Sequence, residues 1–434
     1  MPYQQGNRLQ GEYASHLGHL EVLKSDLVNQ LCQSFESRGT SATPFSASWE
    51  SISTSGVPLS LVFGVDGSMQ VIESDVPPYK ALAFVKTALL RLDQYALARL
   101  DSEYPNPFAL RDILSDSALY HATVFPLRNV TLSTLNNYDA IRQIIFDSIS
   151  DKSLGGEILE TLKWIAYEKW DRQQKQLPLF ECPHCEQAVA TLPYDAEQGD
   201  CRKCGGHLLL TDMLGFHQIM STDAAPNSLA TDYMTVHETL FVFTGIRHFW
   251  ETNKNILRDS LFIKDGPLSI RAQYSKLVAP IRRFLEYARR NGYDIHILGQ
   301  EKSGLFAEHL HLIHRDAPNM SLFLPGDSYI KERIQNRPNR GAPYGKDTNY
   351  GAKVFVKLSD YHQLVLNIPT GDFSPNPTLA DLIGVERIFA TLPHILSNRY
   401  EGALLPIELA HGIASLSTYP SAHILKVFAE SHRK

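Results

Sequence analysis

The chain has 434 residues, 43% of them hydrophobic and 20% charged, with a net charge of −6. That length allows two or three domains or one large core with insertions. With no uninterrupted apolar stretch of membrane length, the composition excludes a helical membrane protein and reads as soluble and globular; Met1 to Arg8 are polar and lack an apolar signal core, so the expected compartment is the cytoplasm.

Gly11 to Ser37 reads as a helix, followed by a Ser/Thr/Gly-rich loop from Arg38 to Glu50. Leu59 to Val65 is an apolar, β-branched run that predicts a buried strand delivering Asp66, with Gly67 turning the chain into a second strand around Met69 to Glu73. Taken alone, an Asp before Gly-Ser is most often a hairpin turn. Tyr79 to Leu97 reads as a helix, Leu119 to Val130 as one or two strands, and Tyr138 to Ser150 and Leu154 to Gln173 as helices, the latter with Ile158, Leu162, Ile165 and Ala166 on one apolar face. His207 to Leu210 is a further apolar strand that leads to Asp212. A long helical stretch follows, clearest at Ile270 to Asn291, and then strands at Asp294 to Leu298, Lys353 to Leu358 and Gln363 to Ile368. Strands with intervening helices predict an α/β sheet. The expected division is an N-terminal helical region over 1–58 and a main domain over 59–434.

Cys182-Pro-His-Cys185 and Cys201-Arg-Lys-Cys204 are two Cys-x-x-Cys knuckles separated by fifteen residues. Each knuckle places two thiolates on one tight turn, and the pair completes a tetrahedron, so 180–206 predicts an inserted zinc ribbon. Four thiolates leave no open coordination position, which makes this zinc structural. Elsewhere Asp66, Asp212 and His411, which follows Ala410 in a late apolar segment, make a hard, mostly oxygen-bearing site of the kind that suits magnesium or manganese.

In the order of these motifs the chain resembles the NurA family of DNA end-processing nucleases. The resemblance runs from about Leu59 to about Ser417: Asp66-Gly67-Ser68, a helix bearing a Glu, a second strand-end Asp at Asp212, Ile295 to Leu298 followed by Lys302, and Ala410-His411. It implies an RNase H-like mixed sheet flanked by helices, with Asp66, Glu160, Asp212 and His411 holding manganese or magnesium and Lys302 adding a cation at the scissile phosphate. Glu157 and Glu168 share the helix with Glu160, and the family pattern favours Glu160. It further implies a 5′-to-3′ exonuclease with single-strand endonuclease activity, a homodimer, and docking on a hexameric HerA-type ATPase, in DNA end processing or anti-phage defence. Asp212 is followed by Met213 where the family has Asp-Gly.

Between Arg271 and Lys353 lie fourteen Lys or Arg against eight Asp or Glu, a basic stretch on an acidic chain that fits one positive DNA channel. Within it Arg333 to Tyr350 reads as a flexible loop whose Arg337, Arg340 and Lys346 would grip phosphates and whose Tyr344 or Tyr350 would stack bases. Gly299 to Gly304 lacks the Lys-Ser/Thr ending of a phosphate-binding loop, and His309, His311 and His314 do not converge on one helical face. The rival reading is a non-catalytic zinc-ribbon adaptor that binds DNA. A transposase-like enzyme of the same fold class is disfavoured by the lack of a helix-turn-helix.

Overall fold

The computed structural model describes residues 22–35, 47–75, 77–93, 118–130, 132, 135–173, 175–221, 226, 228–397, 399–417 and 420–431. It divides into two compact units, 1–45 and 46–434. In the first unit the described element is a helix, Asp26–Ser34, whose N-terminus is capped by the Ser25 hydroxyl and which buries none of its residues. The parts of the expected Gly11 to Ser37 helix at 11–21 and 36–37, and most of the loop after it, lie outside the described residues. Among the described residues no helix is long and apolar enough to cross a membrane.

The second unit is built on a nine-stranded mixed sheet flanked by helices. Its strands are β1 (Glu50–Ser51), β2 (Leu61–Glu73), β3 (Ala81–Asp93), β4 (Ala118–Arg128), β7 (Ser260–Asp265), β8 (His296–Glu301), β9 (Ser321–Phe323), β10 (Ala352–Lys357) and β11 (Gln363–Ile368), in the order β1-β9-β10-β11-β8-β7-β2-β3-β4. Two short strands, β5 (Gln198–Asp200) and β6 (His207–Leu209), form a separate ribbon. The strands β2, β3 and β4 make an antiparallel meander, while β7 and β8 run parallel to β2. Helix α1 (Asn137–Ile149) packs beside β4, and α2 (Glu157–Ala166) packs on the long α3 (Leu229–Thr252). Then follow α4 (Val278–Arg290) and, near the end, α5 (Leu405–Ala414).

Two expectations for the sheet are corrected. Tyr79 to Leu97 is not a helix: its described part carries β3, which pairs along all thirteen of its residues with β2. Its Ala- and Leu-rich composition favours a helix locally, but β3 is paired on both edges, by β2 and β4, and α3 and α5 pack on it, and that tertiary gain decides. Nor does the chain turn at Gly67. The strand β2 runs unbroken from Leu61 to Glu73, so Asp66 sits in mid-strand rather than at a strand end.

The two faces of β2 explain its glycines. A Cβ on Gly64 would stand 2.5 Å from the carbonyl oxygen of Pro406, on α5, and one on Gly67 would stand 2.5 Å from Met234 Cγ and 2.6 Å from Glu238 Oε1, on α3. Positions an odd number apart face opposite sides of a strand, so α3 and α5 clasp β2 from its two faces at van der Waals range. The burial pattern agrees, with Val62 to Ser68 all buried.

Further along the sheet, His296 on β8 is wedged so tightly that a Cβ on Gly384 would meet its ring at 2.2 Å, and burial holds its imidazole down to about 4. The free imidazole titrates near 6.5, so as pH falls from there toward 4 the unfolded chain takes up a proton that the fold refuses. The fold therefore loses stability across that window, by about 3 kcal/mol from this one residue, and the loss is complete below it. Urea unfolding between pH 7 and 4.5 should show that slope, and His296→Leu should remove this share of it.

Candidate metal and phosphodiester site

Asp66 is 2% exposed. One carboxylate oxygen accepts from the Gly67 N–H at 2.7 Å, and the other meets His411 Nδ1 at 2.8 Å. His411 comes from α5, the helix that lies against the Gly64 face, and its hydrogen bond to Asp66 raises its pKa despite partial burial. The register of β2 against β7 pairs Val65 with Lys264, which brings Asp265 alongside Asp66. Burial, and next the charge of Asp66, push the Asp265 carboxyl up, opposed by Lys302, whose Nζ lies 3.0 Å from Asp265 Oδ1.

Glu238, on α3, lies against the opposite face of β2, where its Oε1 takes the space that a Cβ on Gly67 would need. It is 4% exposed and pairs with Lys264 Nζ at 2.8 Å. Burial pushes its carboxyl up to about 7 against the pull of Lys264, and the charges of Asp66 and Asp265 push the same way. A buried ion pair is poor evidence for stability, because desolvation consumes most of the Coulombic gain. The charge of Asp66 thus bears on both Asp265 and Glu238, and carboxylates held this close are a costly arrangement that clusters where charge is used. Asp66, Gly67, Glu238, Lys264 and Asp265 line one cavity of about 380 Å³, and Lys302 and His411 line another of about 550 Å³.

The other expected ligands lie elsewhere. Asp212 follows β6 in a short 3₁₀ turn, Leu210–Leu214, just past the cysteine module. Both its oxygens are engaged, by Arg142 Nε and Nη2 at 2.9 Å each and by the Leu209 N–H at 2.8 Å. Its work is to fasten the ribbon to α1. Glu160 is a half-exposed surface residue bonded to Lys163 at 2.9 Å. Glu157 pairs with Arg247, and Glu168 receives Arg283 Nε at 2.8 Å. None of the three faces the Asp66 cluster; its helix carboxylate is Glu238. Two signals in the sequence point to the residues found instead. Phe262-Ile263-Lys264-Asp265-Gly266 is an apolar strand ending in Asp-Gly, and Glu238 is a lone carboxylate beside the apolar run Leu240 to Phe243.

Arg142 and Asp212 are 7% and 4% exposed, so removing one partner strands the other charge in the interior. Asp212→Asn should cost about 3–5 kcal/mol of stability in chemical unfolding, while leaving the chemistry at Asp66 untouched in the protein that remains folded.

The four cysteines come together. Their Sγ atoms all lie within 4.8 Å of one another, and among the described residues they form the metal-ligating group with that closeness. The knuckle backbones turn N–H donors toward sulfur, with His184 N to Cys182 Sγ and Gly206 N to Cys204 Sγ both at 3.4 Å. Backbone donors bring the Cys201 thiol down to about 7. The set is positioned to bind a metal ion, and its chemistry is consistent with structural zinc. Cys182 and Cys201 are buried, so the ribbon belongs to the main core.

In the basic segment, Arg337, Arg340 and Lys346 are exposed, but Tyr350 is 1% exposed and offers no face to a base. The segment is also held: Arg282 donates to the carbonyls of Gly345, Lys346 and Asn349, and the Tyr344 N–H donates to Asp327 at 2.6 Å. Tyr344 packs against Phe306, with ring centroids 5.7 Å apart.

No family model matches the chain, and no curated protein matches it. Among solved structures it is similar to one described as the crystal structure of NurA. The two share 14% identity over 87% of this chain and 90% of that one, with a TM-score of 0.26.

Proposed function

We propose that this chain is a divalent-metal-dependent deoxyribonuclease with an RNase H-like core, of the NurA type. The observation that carries the reading is the convergence of Asp66, Asp265, Glu238 and His411 from two adjacent parallel strands and the helices on either face of them. The core assignment is supported by the antiparallel meander of β2, β3 and β4, followed through α3 by β7 and β8 parallel to β2.

In donor type the set suits a hard cation, three carboxylates and one imidazole with no thiolate, but no three of their ligand atoms lie within 4.8 Å of one another, so binding would draw the side chains together. Asp66, Glu238, Asp265 and His411 would hold it. When bound, magnesium or manganese lowers the pKa of water and neutralises charge on a phosphodiester. The protein's own groups do the rest. Gly67 N–H fixes one oxygen of Asp66 and leaves the other to orient the imidazole. Lys264 balances Glu238, so the third carboxylate stays beside the other two without driving them apart. Lys302 stands at the rim with 37% of its side chain exposed, where its ammonium can approach a phosphate and offset the negative charge that grows there. Docking on a hexameric HerA-type ATPase and assembly as a homodimer are part of the same proposal and rest on the motif order.

The test is incubation of the purified protein with end-labelled linear and single-stranded DNA in manganese, magnesium or EDTA. Cutting is expected with metal alone. Failure to cut either substrate in either metal, with and without the ATPase, would instead favour the adaptor.

A further inference from the structure

We infer that Arg271 is a phosphate-binding residue that grips the DNA backbone beside the cut bond, held in place by Asp232. This rests on the nuclease reading of the Asp66 site. Arg271 follows Asp265 by six positions, and both line the cavity that also contains Asp66, Glu238 and Lys264. The connecting segment is pinned, because the Tyr350 N–H donates to the Leu268 carbonyl at 2.9 Å and the Ile270 N–H to that of Thr348 at 2.8 Å. Arg271 Nη1 lies 2.7 Å from Asp232 Oδ1, and the other oxygen of Asp232 accepts from the Tyr274 hydroxyl at 3.0 Å.

The two partners differ in a telling way. Asp232 is 4% exposed, braced from two sides and turned wholly to Arg271 and Tyr274, while the Arg271 side chain remains 61% exposed. A guanidinium carries five donors in a planar fork, so one held at Nη1 by a buried carboxylate keeps the others for a second, planar, anionic partner. The cavity itself is lined by carboxylates, which repel a phosphodiester unless a cation receives it. Lys264 is committed to Glu238 and 1% exposed, and of the cavity's cations Arg271 is the exposed one. Thr231, Thr235 and Ser269 add hydroxyls to the wall. The ligand class is the phosphodiester adjacent to the scissile one.

The experiment is equilibrium binding of a fluorescent single-stranded oligonucleotide to the full chain in EDTA, for the wild type and Arg271→Met, over a range of salt. Removing Arg271 leaves the buried Asp232 with Tyr274 alone, so circular dichroism checks that the variant is folded, and Arg271→Met combined with Asp232→Asn repeats the measurement without the stranded charge. Loss of one charged hydrogen-bonding contact predicts about tenfold weaker binding, and the log–log salt slope should fall by about one. A scan of single neutral methylphosphonate linkages sharpens the test. One position should weaken the wild type about tenfold and Arg271→Met no further, the signature of two groups that touch. Asp232→Asn, which acts through Arg271, should weaken the wild type and add nothing to Arg271→Met. Equal slopes and equal methylphosphonate penalties in the two proteins would overturn the assignment, as would absence of binding by the wild type. Cleavage in manganese is scored separately: cutting without any Arg271 dependence of binding sinks this inference alone, and Arg271-dependent binding without cutting sinks the nuclease reading alone.

Discussion

Asp265→Asn should abolish metal-dependent cutting while the protein stays folded. The change removes one negative charge at nearly constant shape from a carboxylate that lies beside Asp66 in the β2–β7 register and is answered by Lys302. Losing such a group lowers the rate on the order of 10²-fold or more, by analogy with the loss of one transition-state stabiliser. Single-turnover cleavage in manganese measures it. Asp212→Asn is the matched control, since it too deletes an aspartate charge, but from a buried arginine clamp under the ribbon. It should unfold at lower denaturant and still cut. If the two results were exchanged, with Asp212→Asn inactive and Asp265→Asn normal, the site would have to be rebuilt around the ribbon. Full activity in both would remove Asp265 from the reaction.

The second large effect is expected at the ribbon. Elemental analysis should find about one zinc per chain, retained through mild chelation that strips magnesium or manganese. Cys182→Ser should lose it. Structural zinc binds such sites with about 10–16 kcal/mol in isolated fingers, so its loss exceeds the whole margin by which most domains are folded. Here the damage should travel. Tyr138 on α1 donates to the Pro183 carbonyl at 2.8 Å, Arg142 holds both Asp212 and the His207 carbonyl, and Lys163 on α2 reaches Glu197 at 3.2 Å. The ribbon thus ties α1 to α2, and α2 packs on α3, which carries Glu238. Loss of zinc should therefore lower cutting without touching a residue of the Asp66 site. A zinc-free protein with unchanged melting temperature and rate would reduce the ribbon to an appendage.

What the sequence disclosed, and what it hid, follows from how local each signal was. Asp66 and His411 sat in short motifs that single them out without a structure, and the structure brings them within 2.8 Å of each other. The cysteines were legible because two knuckles carry their ligand geometry in the spacing itself. Asp212 misled for a physical reason. His207 to Leu210 and Ser260 to Ile263 are both short apolar runs ending near an aspartate, and nothing within either says which sheet it will join. The true neighbour of β2 was the one disguised by a lysine. Lys264 in a buried strand reads as an error until Glu238 is seen facing it. Glu238 was hidden the same way, in a helix so apolar that its one cluster-facing carboxylate had no periodic pattern to mark it. The strand β3 was lost to alanine and leucine, whose helical preference is overruled only by partners some distance off in the chain.

The pairing of β2 with β7 also sets an order of events. Val65 and Lys264 lie about two hundred residues apart in sequence, and His411 comes from much later still. Contacts that span such distances form after local ones, since the entropy of closing the intervening chain must be overcome first. The meander of β2, β3 and β4 and the four-cysteine module can take shape while the acidic cluster is still in pieces. A chain emerging from the ribosome accordingly holds Asp66 in its strand long before Asp265 and His411 arrive. A chain with the proposed activity would complete its acidic cluster only once β7 and then α5 have joined β2.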